Sequence, residues 1–190
     1  LVNMLSTEFD LPQDEIITLL TFYSYALLSS NLYLSSFEGA LFGVAGNWPK
    51  IPITKDKSLF TSVSEFGSTL ANIEKSSYTI PDITIEENEV LYHKYSFEEN
   101  TICLKNESGG ILKRYTDIAS DVIDFEISGY SVLKEWLKMH SFQYYRRSLQ
   151  VDKLLELETL ISKISLYIEK IVELDLEVEQ VLCNELFSPN

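Results

Sequence analysis

The chain has 190 residues, 45% of them apolar, and 15 basic against 29 acidic side chains give it a formal charge of −14. That length and apolar share suit one domain, or one domain with a helical extension, and argue against a disordered chain, while seven glycines and five prolines argue against a fibrous or linker-rich one. The acid excess opposes free-standing binding to a phosphate backbone, but it is uneven. Residues 1–100 carry 5 basic and 14 acidic groups and residues 151–190 carry 3 and 9, whereas residues 101–150 carry 7 and 6. Only this middle block can face a polyanion without a large electrostatic penalty. A leucine at position 1 reads as the start of a piece excised from a longer chain.

In chain order, residues 13–35 predict a helix, with Ile16, Leu19, Leu20, Tyr23, Leu27 and Leu28 at helical spacing and Asp14 and Glu15 near its positive end. Ser29, Ser30 and Asn31 predict a break and restart. The uncharged run Ile16 to Phe37 is long enough to span a bilayer, but its serines and threonines and its acidic flanks assign it to a buried helix and exclude a membrane segment. Gly39, Gly43 and Gly46 mark a loop or short helix followed by a turn. Asn47-Trp48-Pro49-Lys50-Ile51-Pro52 is expected to be extended, because each proline pushes its predecessor out of the helical region. A second helix is expected from about Asp56 to Glu74, facing inward with Leu59, Phe60, Val63, Phe66, Leu70 and Ile73.

From Tyr78 to Tyr115 the period changes. Ile80, Ile83 and Ile85 lead into the runs 90–95, 101–105 and 111–115, which are β-branched and aromatic and are separated by turn formers. They predict an antiparallel meander of three or four strands. A helix over Ser131 to His140 follows. The tail from about Val151 to Leu186 reads as a long helix, with a seam of Leu154, Leu157, Ile161, Ile164, Ile168 and Ile171 that continues, after one shifted step, at Leu174, Val178 and Val181. The expected fold class is therefore α+β: N-terminal helices, a small antiparallel β-meander, and a long C-terminal helix. The expected division is a domain over 1–150 and a helical extension over 151–190 that packs on it or on a partner.

Catalytic signatures are missing from the sequence. There is no phosphate-binding glycine loop and no G-x-S-x-G elbow. Pro81-Asp82 exists, but no lysine follows an acidic residue at the spacing a magnesium nuclease needs. Glu86-Glu87 and Glu98-Glu99 fall in expected turns, where charge clusters are solvated. Two cysteines, Cys103 and Cys183, and two histidines give no zinc spacing and point to free thiols in a reducing cytosol. No catalytic residue, metal ligand or cofactor site is therefore expected within this piece.

One constellation remains. Lys105, Lys113, Arg114, Lys134, Lys138, His140, Arg146 and Arg147 fall in the non-acidic block, interleaved with Tyr115, Tyr130, Tyr144 and Tyr145. Arginine can fork onto guanine, lysine and tyrosine can hold phosphates, and Asn106 and Gln143 can each make a two-point contact with adenine. The same side chains also read as ordinary surface charges beside core tyrosines, and the overall charge favours that reading from the residues alone.

Three segments in order carry a resemblance. They are Phe22-Tyr23-Ser24-Tyr25-Ala26-Leu27-Leu28-Ser29-Ser30-Asn31-Leu32-Tyr33; Trp48-Pro49-Lys50-Ile51-Pro52-Ile53-Thr54-Lys55-Asp56 with Leu59-Phe60 and Phe66-Gly67-Ser68-Thr69-Leu70; and Ile127-Ser128-Gly129-Tyr130-Ser131-Val132-Leu133-Lys134-Glu135-Trp136-Leu137-Lys138. Together the chain resembles the C-terminal specificity domain of type ISP restriction–modification enzymes and related adenine-specific DNA methyltransferases. It departs from the family at Asn31, where proline is common, and after Lys138, where an Arg-rich, glycine-containing stretch is usual.

The resemblance implies a domain that reads double-stranded DNA for an upstream methyltransferase domain of the same polypeptide. That domain would use S-adenosylmethionine, and further upstream domains ATP and magnesium, in a cytoplasmic enzyme. Under that reading the DNA contacts are expected among the residues of the non-acidic block already named, Arg146, Arg147, Lys134, Lys138, Lys113, Arg114, Lys105, Tyr130, Asn106 and Gln143, with Lys134 and Lys138 sharing one exposed helix face. The alternative is an assembly module in which the C-terminal seam pairs with another helix, as in a dimer.

Overall fold

A computed structural model describes residues 1–37, 51–75, 90–127 and 129–187. The expected turn at Gly39, Gly43 and Gly46, the Asn47–Lys50 extension, the Ile80, Ile83 and Ile85 lead-in, Pro81-Asp82 and Glu86-Glu87 lie outside these. The architecture is α+β, with helices first, a three-stranded antiparallel sheet in the middle and one long helix last. The chain divides into two compact units, Leu1–Tyr78 with Tyr167–Asn190, and Thr79–Leu166.

The first unit opens with a helix absent from the sequence reading, α1 (Val2–Phe9), which buries Leu5 and Phe9 one turn apart. Asp10 ends it in a left-handed conformation. α2 (Gln13–Ser29) and α3 (Asn31–Ser36) are separated at Ser30, as the serine cluster predicts. The Ser30 hydroxyl accepts the Tyr33 amide and caps α3, meeting one of the amides a helix start leaves unpaired. α4 (Lys57–Glu74) begins at Asp56, whose carboxylate accepts the Ser58 and Leu59 amides at 2.8 and 3.2 Å. It buries Leu59, Phe60, Val63, Leu70 and Ile73. Its Gly67 lies against α2, where an added Cβ would stand 2.0 Å from the Phe22 carbonyl oxygen. Tyr23 stacks on Phe60 at 4.7 Å and donates to the Pro52 carbonyl.

The last helix, α8 (Val151–Cys183), completes this core with Ile171, Leu174, Val178 and Val181. Each such side chain contributes roughly 1.5–3 kcal/mol before conformational entropy is charged. The seam that suggested an intermolecular coiled coil is thus filled, in this half, by the chain's own residues. The helix stops at Cys183 rather than near Leu186, because Lys55 and Phe187 amides donate to the Glu185 and Ile53 carbonyls and draw the tail into a bridge at Thr54 and Leu186.

The second unit holds β1 (Lys94–Glu98), β2 (Thr101–Lys105) and β3 (Ile111–Tyr115) in simple meander order. Tyr95 pairs with Leu104 and Leu104 with Lys113, while Phe97 pairs with Ile102 and Ile102 with Tyr115. Directly paired residues share a face, so these six form one side of the sheet. A short helix α5 (Ser120–Ile123) and a small hairpin, β4 (Glu126–Ile127) and β5 (Tyr130–Ser131), follow, then α6 (Val132–His140) and α7 (Phe142–Tyr145). Leu133 and Leu137 of α6 are fully buried, and the buried Tyr92 hydroxyl donates to the Leu137 carbonyl at 2.6 Å. Leu154, Leu157 and Ile164, from the first half of α8, are buried as well.

Candidate nucleic-acid interface

The ten residues singled out from sequence all fall in the second unit, but not on one surface. Lys113 lies on the α6-facing side of the sheet, beside Tyr115, with its ammonium 3.1 Å from Glu158 of α8. Only a quarter of that lysine side chain and less of the glutamate are exposed, so the pair fastens strand to helix. Burial, with the Glu158 charge second, holds the Tyr115 hydroxyl well above its ordinary pKa, and that buried hydroxyl has no hydrogen-bond partner among the described residues.

Lys105 and Arg114 belong to the opposite side of the sheet, with Cys103 buried between them. Lys105 reaches along that face to Glu98 at 2.7 Å. The hydrogen bond from Lys105, helped by Ser96, keeps the Glu98 carboxyl below its ordinary range. Asn106 organises the turn between β2 and β3. Its side-chain oxygen accepts the Gly110 amide at 2.7 Å and the Ser108 hydroxyl at 2.8 Å, and Gly109 takes φ +93°. A two-point contact with adenine would have to displace both bonds. The sequence shows an asparagine in a Gly-Gly turn, but not that its oxygen is already engaged.

Lys134 and Lys138 lie along one flank of α6, paired with Asp124 at 3.2 Å and Glu135 at 3.5 Å. Both pairs are about half exposed and weak. The other flank carries a ladder of rings. Trp136 stacks on His140 at 4.0 Å, His140 lies 5.3 Å from Tyr145, and the Arg147 guanidinium sits 4.3 Å above the Tyr145 ring. The His140 ring also contacts the Trp136 carbonyl at 2.9 Å. The indole N–H of Trp136 donates to Glu156, which Lys153 also pairs. Burial raises the Glu156 carboxyl, but the hydrogen bonds from Lys153 and Trp136 outweigh it and leave the group below its ordinary range.

Arg146 adopts φ 61°, a left-handed conformation that costs a non-glycine residue on the order of 1–2 kcal/mol. Its amide donates to the Phe142 carbonyl, closing α7. Gln143 and Tyr144 are exposed on the same short helix. Tyr130 stands 69% exposed on the β4–β5 hairpin, opposite exposed Ile127, with Gly129 at φ +79°. The structure thus gathers Gln143, Arg146 and Arg147 at one end of α6 and places Tyr130 at the other. Among the described residues Arg114, Arg146 and Arg147 have no ion pair, whereas Lys105, Lys113, Lys134 and Lys138 each have one. Lys94, also exposed and without an ion pair among them, escaped the sequence reading because it stands in the acidic half of the composition. Its strand register was the missing signal.

No three histidine, cysteine or acidic side chains converge as a metal site among the described residues, and no described helix is long and apolar enough to cross a membrane. These features define a small α+β domain whose second unit displays unpaired arginines. The model of the type ISP C-terminal specificity domain matches residues 17–157, and the chain belongs to that family. Family membership assigns it to DNA target recognition within a restriction–modification enzyme. No curated protein and no solved structure matches the chain.

Proposed function

We propose that this chain is the DNA-reading end of a longer cytoplasmic polypeptide that methylates adenine at N6, and that it contributes recognition rather than catalysis. The upstream methyltransferase domain would extrude and modify the base with S-adenosylmethionine, and any ATP- or magnesium-dependent step would belong to domains further upstream. The observation that carries this reading, beside the family, is the unpaired arginine set at the α7 turn. A guanidinium parked on an aromatic ring is preorganised, so less side-chain entropy is lost when it forks onto guanine N7 and O6. Arg147 over Tyr145 has that form.

Arg146 and exposed Gln143 extend the same edge, and Arg114 supplies a phosphate contact from the sheet, whereas Lys105 would first have to leave Glu98. Lys134, Lys138 and Tyr130 lie further along α6, where duplex DNA would have to loosen two weak ion pairs. Lys113 serves this surface through the Glu158 tie. Asn106 serves it by holding the β2–β3 turn.

The test is a fluorescence titration of target duplex with the full-length polypeptide, with methylation measured alongside. Arg146→Ala/Arg147→Ala should lower target affinity at least tenfold, since each good base contact is worth about 1–3 kcal/mol. Unchanged affinity and methylation would overturn the assignment of these arginines.

A further inference from the structure

The side of the sheet turned away from α6 holds Lys94, Ser96 and Glu98 from β1, Thr101, Cys103 and Lys105 from β2, and Ile111 and Arg114 from β3. The register sets Lys94 directly opposite Lys105, and aligns Ser96, Cys103 and Arg114 in the next row. Like charges facing each other across a strand pair destabilise a sheet by roughly 0.2–1 kcal/mol. A chain in which acidic side chains outnumber basic ones by 29 to 15 has nonetheless concentrated three cations and one carboxylate here. That carboxylate, Glu98, is engaged by Lys105, so Lys94 and Arg114 are left exposed with no ion pair among the described residues. Cys103 beneath them is fully buried. The repulsion is therefore built into the register, and no second acid on these strands relieves it on this face.

We infer that this face is a phosphate track in which Lys94 and Arg114 grip the DNA backbone, with Lys94 a contact residue that neither composition nor motif identifies. Neighbouring strands lie about 4.8 Å apart, so the two cations, two strands apart, offer a line of charge rather than one pocket. A row of this kind positions a duplex and carries no sequence information. The same row would attract an acidic protein segment, but membership of a DNA-specificity family makes the duplex the polyanion it meets. This inference rests on the DNA-recognition reading above and adds to it the element that supplies its sequence-independent part.

The experiment uses the full-length polypeptide with target and non-target duplexes across a salt series. Lys94→Ala and Arg114→Ala should each weaken binding to both duplexes by the same factor, about 3–10-fold, and each should reduce the slope of log affinity against log salt by about one. Lys94→Arg should retain wild-type behaviour. Lys94→Glu faces Lys105 with opposite charge, so it should bind more weakly than Lys94→Ala while its thermal midpoint stays level or rises, which separates lost contact from lost folding. Unchanged salt slopes, or a loss confined to the target duplex, overturn the track while leaving target recognition standing. A wild-type polypeptide that binds neither duplex overturns both.

Discussion

The Oγ of Ser30 donates to Oδ1 of Asp175 at 2.5 Å, joining two residues 145 positions apart. The Leu32 amide donates to the same carboxylate oxygen at 3.2 Å, and the Ser30 oxygen in turn accepts the Tyr33 amide. One fully buried hydroxyl thus stops α2, caps α3 and ties both to the last helix.

Replacing Asp175 with alanine removes the acceptor and leaves the Ser30 hydroxyl and the Leu32 amide without that partner in a partly buried setting. The expected loss is about 2–3 kcal/mol of unfolding free energy, because charged acceptors carry the stronger bonds and an unmet buried donor bears its own desolvation cost. Asp175→Asn keeps the acceptor oxygen and should lose less. Denaturant unfolding of the two variants gives the comparison, and equal stability of Asp175→Ala and wild type would contradict it.

Gly67→Ala tests the approach of α4 to α2. The new methyl would meet the Phe22 carbonyl oxygen at 2.0 Å, so the helices must separate. Overpacking of this kind costs about 1–3 kcal/mol and more when the obstacle is backbone. A lowered thermal midpoint is expected, despite the higher helix propensity of alanine.

Arg146→Gly should do the reverse to stability. Glycine takes positive φ at no steric cost, so the substitution relieves strain on the order of 1 kcal/mol, offset partly by the freer unfolded chain. The thermal midpoint should hold or rise while affinity for target duplex falls. A variant that binds as tightly as wild type would leave the strained conformation without a functional reason.

Tyr115→Phe removes a buried hydroxyl that makes no hydrogen bond among the described residues, and should be neutral or stabilising by up to about 1 kcal/mol. The same burial governs alkaline behaviour. Tyr23, Tyr92 and Tyr115 are all raised above their ordinary value of 10.0, chiefly by burial. Their contribution is fully present below that value and is lost as pH climbs toward the folded-state pKa values. Tyrosinate absorbance should therefore show Tyr23, Tyr92 and Tyr115 ionising only as the fold is lost.

Much of the fold was legible because local rules sufficed. The Ser29-Ser30-Asn31 break, the helix start near Asp56 and the three strands all declare themselves through short-range chemistry. α1 escaped because eight residues bearing Leu5 and Phe9 give little periodicity to count. The four-residue helices and the β4–β5 hairpin fall below any useful window. The site was legible as a list of basic side chains but not as a surface. Nothing near Lys113 announces Glu158, 45 positions away, and nothing near Lys94 announces Lys105 as its neighbour. Ion pairs and strand register are tertiary facts, and they sort the cations into those the fold consumes and those it leaves free.

The turn held by Asn106 has an evolutionary corollary. Ser108, Gly109 and Gly110 are each engaged in making that bend, whereas the Glu107 side chain is exposed and forms no ion pair among the described residues. Exchanging it leaves the scaffold intact, within about 0.5 kcal/mol, so the tip behaves as a fixed socket with one replaceable bit, and a lineage could try out new side chains there without rebuilding the protein around them.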